Sequence, residues 1–66
     1  MQITLNGETR KIPDGTTATG LIEILELRGK RLAMEVNLEI VPRSAHAELR
    51  LNDGDRIEIV HAVGGG

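Results

Sequence analysis

The stretch Asp14–Lys30, DGTTATGLIEILELRGK, decides how the rest of the chain can fold. It has helical spacing where its flanks alternate: Leu21, Ile22 and Leu25 stand at i, i+1 and i+4, which gathers them on one helical face. Two signals mark its start. Pro13, Asp14 and Gly15 form a turn, and the Thr17 hydroxyl can accept a hydrogen bond from the first helical turn. The helix is expected to stop at Arg28, with Gly29 in the left-handed position that follows a helix and Glu26 one turn before Lys30. Gly20 costs a helix about 1 kcal/mol relative to alanine, so packing against a second layer, not propensity, must hold the segment helical. Ile24 and Leu27 fall at the edges of the apolar face.

On both sides the spacing changes to strand alternation. Upstream, MQITLNGETRKI (1–12) sets Met1, Ile3 and Leu5 against Gln2 and Thr4, and Asn6-Gly7 supplies the two positive φ angles of a type I′ hairpin turn. Downstream, RLAMEV (31–36) places Leu32, Met34 and Val36 on one face and ends at Asn37. EIV (39–41) is a short strand closed by Pro42, RSAHAELRL (43–51) has no alternation and suggests an irregular helical turn, and NDGD (52–55) turns into the last strand, RIEIVHAV (56–63). One helix among several strands in 66 residues can bury its apolar face only by lying across one side of the sheet. The expected fold is α+β: a single domain over 1–66, a mixed sheet with one helix packed across one face. The first hairpin and the closing strand should meet at the sheet centre, which is the ubiquitin-like β-grasp topology.

Composition narrows the function. The chain carries 8 Lys and Arg against 10 Asp and Glu, with no cysteine and no aromatic residue. A net charge of -2 and the absence of stacking platforms argue against nucleic acid. No stretch approaches a membrane span, and no basic segment precedes a long apolar run, so the expected location is cytoplasmic. His46 and His61 are the only histidines, too few for a zinc site, and NDGDRIE lacks the ligand series of a calcium loop. No nucleophile, base and orienting acid can be assembled, and so short a chain has little volume for a substrate pocket. Autonomous catalysis is not expected.

What remains is HAVGGG (61–66). A frayed end or a glycine-rich linker would give the same letters. Gly64, Gly65 and Gly66 also make an end that can thread a channel closed to side chains, and 63–66 is expected to be a flexible tail presenting the Gly66 carboxylate. A carboxylate is a poor electrophile, so another enzyme must activate it, most simply as an acyl-adenylate made with ATP. Val60 and Ala62 share the face opposite Ile57 and Ile59, and an apolar residue there, beside the tail, suggests a docking surface that includes Val60, Ala62 and Val63.

Over essentially its whole length, through DGTT leading into LIEIL, AMEVNLEIVPR, LNDGDRIEIV and the final GG, the sequence resembles the ThiS family of thiamine-biosynthesis sulfur carriers. The resemblance implies a protein cosubstrate, not an enzyme. Gly66 would be adenylated by an E1-like enzyme of the ThiF type, which consumes ATP while the carrier itself binds no cofactor. The glycine would then be converted to a thiocarboxylate with sulfur from a donor protein, and the sulfur passed to thiazole synthase of the ThiG type. Two features depart from the common pattern: a third glycine, Gly64, and Gly20 where a capping acid is favoured. The small subunit of molybdopterin synthase, a ubiquitin-like modifier and a plain interaction module are the competing readings.

Overall fold

The computed structural model describes residues 1–61. In chain order the elements are β1 (Gln2–Leu5), β2 (Glu8–Lys11), α1 (Ala18–Ile24), β3 (Leu32–Val36), β4 (Glu39–Val41), a 3-10 turn (Arg43–Ala45) and β5 (Arg56–His61). The five strands form one sheet in the order β2-β1-β5-β3-β4. The late strand thus lies at the centre, parallel to β1 and antiparallel to β3. The α+β expectation and the mixed sheet are both present.

Alternation sets the two faces. Ile3, Leu5, Met34, Ile57 and Ile59 are buried with Ala18 and Leu21 of α1, and with Ile12 and Leu51 of the connecting segments. The core is aliphatic throughout, so its stability rests on summed apolar burial and close packing without aromatic anchors.

The helix begins where Thr17 predicts: its Oγ1 accepts from the Gly20 N–H at 3.0 Å. Gly20 itself has a local reason. A Cβ there would stand 3.2 Å from Thr16 Cγ2 and 3.4 Å from the capping Thr17 Oγ1. Two other N–H groups at the helix start, those of Ala18 and Thr19, donate to the carbonyls of Leu49 and His46, at 2.9 and 3.1 Å. The irregular segment 43–51 therefore completes the helix N-terminus.

The helix end corrects the sequence reading. It stops at Ile24, not Arg28, with Leu25 as C-cap. Glu26 takes the left-handed conformation at φ 58. Its N–H donates to the Glu23 carbonyl at 3.0 Å, and the Leu27 N–H to the Ile22 carbonyl at 3.0 Å. This pair of bonds is the Schellman pattern, with Glu26 where glycine is usual. Gly29 does have a positive φ of 81, but in the following turn, so Glu26 and Lys30 do not share a helical face. The half-buried Leu27 packs against the core, which rewards folding back at Glu26 over continuing the helix into solvent.

Candidate functional site

The candidate site is the end of β5, at the last of the described residues. Asn37 fixes the beginning of this strand. Its N–H donates to the Arg56 carbonyl at 2.7 Å, and its Oδ1 accepts from the Arg56 N–H at 3.0 Å. Its Nδ2 donates to Asp55 Oδ1 at 3.0 Å. Asp55 is buried and also accepts from the Asn52 N–H at 2.8 Å, so its carboxylate closes the 52–55 turn and ties it to β3. Asn6 holds the far end: its Oδ1 accepts from the Ile59 N–H at 2.9 Å and its Nδ2 donates to the Ile59 carbonyl at 3.2 Å. The strand is thereby held on both sides up to two residues before His61.

Val60 lies on the face away from the helix and is 72% exposed. Its cross-strand partner is Ala33, also exposed, and Glu35, Glu58 and Ile40 continue the same face. The expected position of Val60 is thus the observed one. The expectations for Ala62, Val63, Gly64, Gly65 and Gly66 lie outside the described residues. Two large exposed apolar residues were missed in the sequence, Leu38 and Ile40, at 72% and 76% exposure. Ile40 stands beside Val41 in EIV, and two adjacent apolar residues do not say which faces inward.

The histidines do not converge on a site. His46 is buried, with Nε2 3.1 Å from the Val41 carbonyl, and links the segment after the 3-10 turn to β4. His61 faces the helix side, opposite Leu32. Among the described residues no three His, Asp or Glu side chains come together as metal ligands, and no helix is long and apolar enough to cross a membrane. The Asp14 carboxylate, which accepts from the Met1 ammonium at 2.8 Å, lies outside this strand end. A hydrogen bond from the Met1 ammonium, and then its charge, hold that carboxyl below the ordinary 3.8.

Comparison with known proteins accords with this geometry. The sequence profile of the ThiS family matches residues 3–66. The sulfur carrier protein ThiS of Escherichia coli is 35% identical over 66 residues, covering 100% of both chains. A thiazole synthase of Paramagnetospirillum magneticum is 42% identical over the whole chain, which spans only 20% of that protein's length. A crystal structure of a thiamine biosynthesis protein (ThiS) from Geobacter metallireducens superimposes with a TM-score of 0.85 at 28% identity, covering 100% of each chain.

Proposed function

On the premise that the chain belongs to the ThiS family, we propose that it is the sulfur carrier for the thiazole ring of thiamine, a cosubstrate of other enzymes and not itself an enzyme. The observation that carries this reading is the central strand. Clamped by Asn37 at its start and Asn6 near its end, it leads directly into the AVGGG sequence at 62–66. A rigid strand lets a partner that grips the folded body deliver the terminal carboxylate to a fixed place, the positioning that makes a bimolecular step effectively unimolecular.

In the proposed cycle a Gly66 carboxylate oxygen attacks the α-phosphorus of ATP in an E1-like adenylating enzyme, and pyrophosphate leaves. A hydrosulfide equivalent from a donor protein then adds to the acyl carbon, and AMP leaves with its electron pair, giving the thiocarboxylate. Thiazole synthase is the acceptor. A protein of that name contains a stretch 42% identical to this chain, which supports a carrier and a synthase working side by side. Val60, with Ala62 and Val63, forms part of the surface both partners grip, and the cycle runs in the cytoplasm.

The experiment is carrier-dependent ATP–pyrophosphate exchange with the adenylating enzyme of the same genome, followed by intact-mass measurement. The parent should support exchange and acquire one sulfur in place of one oxygen. Removing Gly66 should abolish exchange with the fold unchanged by circular dichroism, and Val60→Asp should raise the KM for carrier. Exchange by the des-Gly66 chain would overturn the carboxylate as the activated group. Rescue of a deletion strain by molybdopterin instead of thiazole would move the protein to the molybdopterin pathway.

A further inference from the structure

Beyond the sheet face and the strand end, one feature carries unneutralised charge around an apolar floor. A cavity of about 170 Å3 opens between the turns after α1 and the 3-10 turn. Ile22, Leu27 and Leu32 line it together with Arg28, Lys30 and Arg43. Three of the chain's 8 Lys and Arg residues are thus gathered here, and no Asp or Glu lines the cavity. Among the described residues the sole ion pair is Met1 with Asp14, so none of these three cations has a carboxylate partner there. All three side chains are exposed. Like charges gathered around one opening raise its positive potential, and an apolar floor raises it further by excluding water.

Position gives the cavity its meaning. Leu32, in its wall, is the cross-strand partner of His61, the last residue of β5. The cavity therefore lies one strand away from the last described residue of β5, within reach of an enzyme that grips this end of the folded body. Its size excludes a free nucleotide as the natural occupant, because small-molecule sites run from about 300 to 1,000 Å3. It suits one large apolar side chain seated on Ile22, Leu27 and Leu32 with carboxylates reaching the cationic rim.

We propose that this cation-ringed cavity is a docking point for the adenylating enzyme, which fills it with an apolar side chain flanked by acidic residues. The inference rests on the carrier reading above and adds to it a second contact, on the other side of the strand end from Val60. The rim charges steer association and hold register, so they act on the KM for carrier and not on the chemical step.

The test measures carrier-dependent ATP–pyrophosphate exchange at about 50 and about 300 mM NaCl. The Arg28→Glu, Lys30→Glu double variant should raise the KM for carrier about 10-fold at low salt, leave kcat unchanged and lose most of the parent's salt dependence. The control is Arg10→Glu, Lys11→Glu, the same charge change on β2 at the far edge of the sheet, which should stay within about twofold of the parent. Equal effects from both double variants, or none from the first, would overturn the proposal while leaving the carrier reading intact. Absence of exchange with the parent chain would overturn both. Titrating the carrier alone with ATP and with inorganic phosphate, followed by amide resonances of residues 28–32, supplies the other arm. Saturable shifts there would make the cavity a small-anion site and overturn the protein-segment occupant.

Discussion

The β1–β2 hairpin and the β3–β4 hairpin have the same loop design, yet they hold the central strand by different means. Each has a two-residue loop opened by an asparagine with positive φ, 48 at Asn6 and 51 at Asn37. Strand β3 pairs with β5 along five antiparallel positions, from Leu32 opposite His61 to Val36 opposite Ile57. Strand β1 pairs with it in parallel at only two, Thr4 opposite Arg56 and Leu5 opposite Ile57. The short parallel ladder is prolonged by a side chain: the Asn6 N–H donates to the Ile57 carbonyl at 2.9 Å, and its carboxamide then occupies both backbone groups of Ile59. An amide side chain thus stands in for one more strand residue, at the end of β5 that the carrier reading needs fixed.

Removing what both hairpins share should have the largest effect. Ile59 is 6% exposed, pairs with Met34 and lies in the core under the helix. Ile59→Ala should cost about 2–5 kcal/mol through lost burial and the cavity left behind. An unchanged denaturation midpoint would mean that β5 presents its other face to the core.

Next come the two asparagines, whose exchange for alanine separates the clamps. Asn6→Ala should cost about 1–3 kcal/mol, since it leaves both backbone groups of Ile59 without partners and puts alanine at a positive φ. Native-state hydrogen exchange should accelerate at Ile59, with Arg56 still protected. Asn37→Ala should give the converse pattern, faster at Arg56, together with a loosened Asp55. Identical exchange patterns in the two variants would show the strand opening as one unit and erase the distinction between its ends.

The second loop position sharpens the comparison with opposite signs. Gly7 has φ 84 and Leu38 has φ 70, so the second turn puts an exposed leucine where glycine is favoured. Leu38→Gly should stabilise the protein by about 1 kcal/mol and Gly7→Ala should destabilise it by a similar amount, both read as midpoint shifts. A destabilised Leu38→Gly variant would reveal packing by the leucine that outweighs its backbone strain.

These contrasts separate what the sequence expresses locally from what it does not. Asn6-Gly7 announces its turn because both residues favour positive φ, and Thr17 announces the helix start because a hydroxyl three residues before an N–H is a local geometry. Asn37-Leu38 forms the same turn without announcing it, since leucine resists that conformation. The helix end was misplaced for the same reason: Glu26 takes a position normally signalled by glycine, and Gly29, the visible signal, serves a later turn. The Asn6 clamp links residues 53 apart, and the cations of the cavity come from two separate segments, so neither leaves a periodic trace in the chain. The family resemblance was legible because it draws on the entire pattern at once.

The smallest expected effect lies at the open end of the first hairpin. There the Met1 ammonium donates to the Ile12 carbonyl and to Asp14 Oδ1, each at 2.8 Å. The second hairpin has no ion pair among the described residues. The Asp14 carboxyl is held below its ordinary 3.8, first by the hydrogen bond from that ammonium and then by its charge. Folding therefore favours the ionised form. The resulting stabilisation is fully present above the unfolded-state pKa and is lost as pH falls through the lower folded-state value. Because Asp14 is fully exposed, solvent and salt screen the pair strongly. Asp14→Asn should lower the denaturation midpoint slightly at about pH 6, and the difference from the parent should close as acidification carries the parent through the lowered folded-state value, below which both have a neutral side chain. A gap that persists in acid would assign the contribution to the turn geometry of Pro13–Gly15 and remove the ion pair from the account of how this hairpin is held. A gap that closes on acidification and also shrinks in high salt would identify it as the electrostatic clip that the other hairpin lacks.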